Sequence, residues 1–119
     1  MAMESNTLLI GWNRAVPGRE HAAAELFAQT VGYYDKMQKS GKLTSWEPVF
    51  LNQHGGDMNG FFLLKGTGSN LNAIVADDEF VDIMLRAGHI LQNFGVVHGY
   101  SGMNVIQDMM GRWTKAIPR

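Results

Sequence analysis

The stretch Phe61-Phe62-Leu63-Leu64 decides how this sequence of 119 residues folds. Side chains along a β-strand alternate between the two faces of a sheet, so four consecutive apolar residues make both faces apolar. Leu8-Leu9-Ile10 and Val49-Phe50-Leu51 repeat the pattern elsewhere in the chain. The helices of one small chain cover only one face of such a sheet. We therefore expect a second copy of the chain to cover the other face, which predicts a homodimer.

Strand and helix patterns alternate on both sides of this stretch. Runs of aliphatic and aromatic residues predict strands over 7–13, 44–53, 58–67 and 96–100. Apolar residues at three- and four-residue steps predict helices over 19–40, 71–76 and 78–93. The order β-α-β-β-α-β is that of a ferredoxin-like α+β fold with an antiparallel sheet. A C-terminal helix over 103–117 would carry one apolar side made of Met103, Ile106, Met110, Trp113 and Ile117.

Local residues predict where these elements begin and end. Gly41 is expected to end the first helix in a left-handed conformation. Ser69-Asn70 is predicted to cap the short helix, and Asp77-Asp78-Glu79 supplies acidic residues at the start of the next one. Gly95 is predicted to end that helix. We expect a single domain over residues 1–119, with a core over 6–102 and a helical tail over 103–119.

Composition excludes several classes of function. The absence of cysteine excludes disulfides, a thiolate nucleophile and a Cys-type zinc site, and we expect no metal. Ten basic against 11 acidic residues give a net charge of −1, so neither nucleic acid nor a membrane surface is an expected partner. With no leader-like N-terminus and no apolar run of about 20 residues, a cytoplasmic protein is expected.

Three segments make the chain similar to a known superfamily. They are Val16-Pro17-Gly18-Arg19-Glu20, Asp77-Asp78-Glu79-Phe80 and Phe94-Gly95-Val96-Val97. With the element order, they resemble the dimeric α+β barrel superfamily, which includes antibiotic-biosynthesis-type monooxygenases, EthD-like and stress-responsive barrel proteins, and muconolactone isomerase. Within it, the chain is most similar to a bacterial group of unknown function. The resemblance implies a homodimer through the sheet face and a small apolar ligand held between sheet and helices.

Six residues are candidates for a site of this kind. His98 shares a predicted strand face with Tyr100, and the pair is the candidate catalytic group; a hydrogen-bonded core histidine is the alternative. Trp12, Tyr34 and Trp46 are candidate ligand-binding walls, although such aromatics also serve as core or interface residues. His54, in a glycine-rich turn, is either an exposed turn residue or a group that reaches a pocket across the dimer.

Two functions remain open on the sequence. The first is a cofactor-independent oxygenase or isomerase acting on a small apolar or aromatic compound, in which His98 and Tyr100 polarise or deprotonate the substrate. The second is a non-catalytic dimer that serves in stress response or as a ligand carrier.

The haem-degrading branch of the superfamily carries a helical histidine. His89 is on the helix face opposite Phe80 and Leu91, so no haem or other cofactor is expected.

Overall fold

A computed structural model describes residues 4–119. Its strands are β1 (Thr7–Trp12), β2 (Ser45–Phe50), β3 (Gly60–Lys65) and β4 (Gly95–Gly99). Its helices are α1 (Glu20–Lys39), α2 (Gly68–Val75), α3 (Asp78–Ile90) and α4 (Met103–Ala116). The predicted order of elements is therefore confirmed, and the chain has an α+β architecture consistent with a ferredoxin-like fold.

The four strands form one antiparallel sheet in the order β2-β3-β1-β4. β1 lies in the middle, where Leu8 faces Leu64 of β3 on one side and His98 of β4 on the other. β2 pairs with β3 along its whole length, including Pro48 opposite Phe62. Pro48 lacks an N–H group, which suits its place in an edge strand.

The two faces of the sheet differ in what covers them. One face, here the covered face, carries Leu8, Ile10, Phe62 and Leu64, all of which are buried. The other, here the open face, carries five apolar side chains that are partly exposed. They are Leu9, Val49, Phe61, Leu63 and Val97. The sequence pattern thus correctly indicates a sheet that is apolar on both sides.

Helices α1, α2 and α3 supply the rest of the core. Leu26, Tyr33 and Tyr34 of α1 join the covered-face residues in one apolar cluster with residues of α2 and α3. Polar contacts fix α1 against α3, since the Tyr33 hydroxyl donates to Asp77 at 2.8 Å and Lys36 pairs with Glu79 at 2.6 Å. Both contacts lie where α1 ends and α3 begins.

Helix termini confirm some predictions and correct others. Gly41 has φ +84° directly after α1, as predicted. The cap of α2 is Thr67, whose hydroxyl accepts the backbone N–H of Asn70, and not Ser69-Asn70 as predicted. α3 ends at Ile90, earlier than predicted, because Leu91 adopts an extended conformation and forms a β-bridge with Ala15.

The C-terminal helix α4 projects from the rest of the fold. Asn6 and Thr7 hold the turn before it through hydrogen bonds to Ser101. Beyond that turn, no residue of α4 is buried. The predicted apolar side is therefore present on the helix but faces solvent, and its members are between 37% and 69% exposed.

Candidate ligand-binding cavity

A cavity of about 400 Å³ lies between the covered face of the sheet and helices α1 and α3. This volume falls in the range of small-molecule sites in proteins. The strands contribute Ile10, Trp12, Phe50 and Phe62 to its lining. The helices and loops contribute Ala15, Ala23, Ala24, Leu26, Phe27, Thr30, Ile83, Met84, Ala87, Leu91 and Phe94.

Small side chains keep this space empty. Ala23 and Ala24 of α1 and Ala87 of α3 lie where the two helices pass over the Trp12 end of the sheet. An alanine fills only a methyl group's volume between packed elements, so three of them leave a gap that longer side chains would close. Two lining residues, Ala24 and Phe50, are exposed, and the cavity opens to solvent beside them.

Four aromatic rings form one wall of the cavity. Phe27 stacks on Phe62 with ring centroids 5.3 Å apart, and Trp12 lies 5.5 Å from Phe62. Phe50 packs 5.4 Å from Phe27 and meets Trp12 edge-on at 6.2 Å. Aromatic walls of this kind give a large apolar contact area with few freely rotating bonds. The wall favours a flat, apolar ligand.

The hydrogen-bonding capacity of the lining is small. The Thr30 hydroxyl donates to the Leu26 carbonyl of its own helix at 2.7 Å. The indole N–H of Trp12 is the other polar side-chain group of the lining. Pockets usually orient a ligand with a few polar groups on an apolar surface. Here the apolar surface dominates.

The segment after α3 closes one end of the cavity. Two backbone hydrogen bonds, Val16 N–H to Ile90 O at 2.7 Å and Gln92 N–H to Arg14 O at 2.7 Å, join it to the loop after β1. The early end of α3 therefore has a structural consequence, because the bridge between Ala15 and Leu91 carries both residues to the cavity. A helix continued to Asn93 would not present them in this way.

The predicted ligand-binding aromatics divide into two groups. Trp12 lines the cavity. Tyr34 and Trp46 are packed beyond it, with ring centroids 6.0 Å apart, and the ring of each packs against Phe62. They support the aromatic wall and do not line the cavity itself.

His54 is an exposed residue of the loop between β2 and β3. Its Nδ1 accepts the Gly56 N–H at 3.2 Å, so the proton is on Nε2, which donates to the Met58 carbonyl at 2.8 Å. These bonds fold the loop on itself. In the single chain His54 is therefore an exposed turn residue, which is one of the two alternatives drawn from the sequence.

The predicted catalytic pair lies away from the cavity. His98 is on the covered side of the edge strand β4, but it is exposed, with Nδ1 3.5 Å from the Ser5 hydroxyl. The alternative of a core histidine is therefore wrong, because no helix extends over this edge of the sheet. Tyr100 follows the end of β4 and is 37% exposed. Neither residue lines the cavity, and their predicted catalytic role finds no support there.

The two tyrosines of α1 have hydroxyl groups whose pKa values are raised. Burial, followed by the hydrogen bond to the Asp77 carboxylate, raises the pKa of Tyr33 above its ordinary value. Burial alone raises the pKa of Tyr34, whose hydroxyl has no hydrogen-bond partner among residues 4–119. Both phenols are therefore protonated throughout the physiological pH range.

Sequence reasoning missed most of the cavity wall. Phe27, Phe62 and Met84 belong to apolar patterns that predict core positions correctly, and the same patterns do not distinguish a filled core from a hollow one. The one available indication was the group of alanines at 22–24, which lies on the apolar side of the first helix and is too small to fill space.

Within residues 4–119, no group of three or more histidine, aspartate or glutamate side chains is arranged to hold a metal ion. Over the same residues, no helix is both long enough and apolar enough to cross a membrane.

Comparisons with known proteins bear on the fold alone. No protein-family model matches the sequence, and no curated protein matches it. The structure is similar to that of PA3566 from Pseudomonas aeruginosa, with a TM-score of 0.55 and 16% identity over 86% of this chain and 99% of that one. It is also similar to NE2512, a protein of unknown function from Nitrosomonas europaea, with a TM-score of 0.53 and 18% identity over 85% of this chain and 95% of that one.

These likenesses define the chain as an α+β protein whose four-stranded antiparallel sheet is shared with bacterial proteins of known structure. Identities of 16% and 18% establish a common fold and assign no activity.

Proposed function

We propose that this protein binds a small, flat, apolar molecule in the cavity between the sheet and helices α1 and α3, and that it acts as a homodimer. The aromatic wall of the cavity is the observation that carries the proposal. The volume of the cavity, about 400 Å³, accommodates a compound of two or three fused rings. The proposal extends the resemblance to the dimeric α+β barrel superfamily noted from the sequence.

The lining favours a ligand carrier over an oxygenase or isomerase. Carbanion-forming chemistry without a cofactor needs a positioned base within hydrogen-bond reach of the substrate. The lining offers apolar side chains together with the Thr30 hydroxyl and the Trp12 indole. Burial of the ligand against the aromatic rings would supply the binding free energy, at about 25 cal/mol for each Å² of apolar surface.

The cavity can be tested by filling it. Ala87 is 2% exposed and lines the cavity, so Ala87→Leu places three further carbon atoms inside it. We expect the wild-type protein to bind naphthalene in isothermal titration calorimetry, and Ala87→Leu to lower the affinity about tenfold or more. Circular dichroism spectra and melting temperatures would establish that the variant is folded.

The matched control is Ala28→Leu, which makes the same change on the exposed side of α1, outside the cavity lining. Its naphthalene affinity should equal that of the wild type. The proposed cavity is wrong if wild-type protein does not bind naphthalene, or if Ala87→Leu and Ala28→Leu bind it equally well.

The uncovered apolar side chains of the open face support the proposed homodimer. Five apolar side chains there have no covering helix, and Val97 is 57% exposed. Exposed apolar patches that exceed a few hundred Å² usually mark an interface. A second copy that places its own open face against them would bury Leu9, Phe61 and Leu63 in the same way as the core residues on the covered face.

Sedimentation velocity at micromolar concentration tests the dimer. Phe61→Glu introduces a charge at the centre of the open face and should give a monomer, because a buried, unpaired carboxylate is strongly unfavourable. Lys65→Glu makes the same residue type on the same strand and the same face, at its exposed end, and should remain dimeric. A wild-type monomer under these conditions would refute the proposed dimer.

A further inference from the structure

The row of residues that crosses the sheet beside the cavity contains a glycine between two aromatic residues. Gly60 of β3 pairs with Trp12 of β1 on one side and with Phe50 of β2 on the other. Directly paired residues of antiparallel strands place their side chains on the same face of the sheet. Residue 60 therefore belongs to the covered face, two positions along β3 from Phe62.

The backbone of β3 does not require a glycine at position 60. Gly60 is not among the glycines with a positive φ, which are Gly18, Gly41, Gly55 and Gly102. Glycine is also unfavourable inside a strand, because it has no side chain to pack and loses more conformational freedom on folding than any other residue. A glycine inside a strand often marks the close approach of another group. The space beside Gly60 is therefore the feature that distinguishes this position.

The Trp12 indole occupies the space that a side chain at position 60 would need. A Cβ atom added to Gly60 would lie 2.6 Å from Cζ2, 2.9 Å from Cε2 and 3.1 Å from Nε1 of the indole. Carbon atoms in favourable contact are about 3.5–4.0 Å apart, so the added atom would displace the ring by about 1 Å. The indole is rigid, and its atoms have to move together.

The other glycines of the four strands have no such neighbour. Gly95 and Gly99 of β4 have no atom within 4 Å of an added Cβ atom. At Gly11 of β1 the nearest atoms, at 3.2 Å, are the ends of two flexible side chains. Within residues 4–119, Gly60 is therefore the one strand glycine at which a side chain would overlap with a rigid ring.

A displaced indole would move into the cavity. Trp12 lines the cavity, and the rings of Phe62 and Phe50 lie beside it at centroid distances of 5.5 Å and 6.2 Å. The sheet lies beneath the indole, so the cavity is the space that remains open to it. The position of the indole thus sets how much room a ligand has, and Gly60 allows that position.

We propose that Gly60 is a positioning residue of the ligand site, which lets the Trp12 indole rest against the sheet and so keeps the cavity open for a flat, apolar molecule. This inference rests on the ligand-binding cavity proposed above. Gly60 does not line the cavity and acts through Trp12. A side chain at position 60 would narrow the cavity and disturb its aromatic wall at the same time.

Gly60→Ala tests the proposal by adding a single carbon atom. We expect the dissociation constant for naphthalene, measured by isothermal titration calorimetry, to rise about tenfold. Gly99→Ala is the matched control, since it makes the same change in a strand, outside the cavity, where the added atom meets nothing. The control should change the dissociation constant less than about threefold.

A double-mutant cycle with Trp12 separates positioning from a general effect on packing. Trp12→Leu removes the three indole atoms that the added Cβ atom would meet. Introduced together with Trp12→Leu, Gly60→Ala should change the naphthalene dissociation constant less than about threefold relative to Trp12→Leu alone. If Gly60→Ala costs the same affinity with and without Trp12→Leu, Gly60 does not act through the indole and the proposal is wrong.

Melting temperatures test the overlap without a ligand. Gly60→Ala should lower the melting temperature of the wild-type protein or prevent its folding. Added to Trp12→Leu, the same change should not lower the melting temperature, because the overlap is gone and alanine is more favourable than glycine inside a strand. A double variant that is unfolded, or that melts below Trp12→Leu, would contradict the proposal.

The naphthalene titrations also distinguish this proposal from the proposed function. If Ala87→Leu weakens binding and a folded Gly60→Ala protein binds like the wild type, the cavity holds the ligand and the role of Gly60 is refuted. A wild-type protein that does not bind naphthalene refutes both.

Discussion

The two ends of the covered face share the same sheet and helix α1, yet one end is packed and the other is hollow. At the packed end, Tyr34 of α1 lies against Trp46 and Phe62, and Leu64 beside them has no exposed surface. At the hollow end, α1 presents Ala23 and Ala24 to the sheet and leaves about 400 Å³ empty. Side-chain size, and not a shortage of apolar residues, separates a core from a binding site here.

The largest expected difference between the two ends comes from removing side chains. Leu64→Ala at the packed end should lower the free energy of unfolding by about 2–5 kcal/mol, because it creates a cavity that the surrounding residues cannot fill. Phe50→Ala at the hollow end removes a larger side chain that is 69% exposed, and should cost only about 1 kcal/mol. Urea denaturation of both variants measures the difference. Equal losses would mean that the hollow end contributes to stability as the packed end does.

Alkaline pH should destabilise the fold through the two buried tyrosines of α1. The folded pKa values of Tyr33 and Tyr34 are raised, whereas both phenols of the unfolded chain ionise near pH 10. The unfolded state then loses protons that the folded state retains, so stability is complete below about pH 10 and falls above it. The slope should approach about 1.4 kcal/mol per pH unit for each phenol. Urea midpoints measured between pH 8 and 11 would follow it, and a variant with phenylalanine at both positions should lose this slope.

The smallest expected effect separates the two tyrosines themselves. Tyr33→Phe removes the hydrogen bond to Asp77 and should lower the free energy of unfolding by about 1–2 kcal/mol. Tyr34→Phe removes a buried hydroxyl that has no partner among residues 4–119, and should be neutral or stabilising by up to about 1 kcal/mol. Thermal and urea unfolding of the two variants provide the measurement. A destabilising Tyr34→Phe would show that its hydroxyl is hydrogen-bonded in solution.

Most of the fold was predictable because its causes are local. The alternation of side chains in Phe61-Phe62-Leu63-Leu64 and the helical period of α1 are properties of a few neighbouring residues. Gly41 likewise ends α1 through its own left-handed backbone conformation. The end of α3 was not predictable in this way, since it depends on a bridge between Leu91 and Ala15, which are far apart in the chain.

The site was predictable only in part. Trp12, Tyr34 and Trp46 were predicted as wall residues, and of these only Trp12 lines the cavity, whereas Tyr34 and Trp46 lie beyond it. For His98 the alternative of a hydrogen-bonded core histidine failed, because β4 is an edge strand that no helix overlies and the side chain is exposed. Burial depends on the elements that pass over a residue, and a strand pattern does not contain that information.

The sequence by itself determined the order of the elements and the apolar character of both sheet faces, because alternation and helical periodicity are read from adjacent residues. It also determined that one side of the C-terminal helix is apolar. Only the tertiary structure decided that the space between α1, α3 and the sheet is filled at Tyr34 and empty at Ala87, and that α4 leaves its apolar side exposed. Empty volume is set by the distances between elements that are remote in sequence, and those distances exist only once the chain has folded.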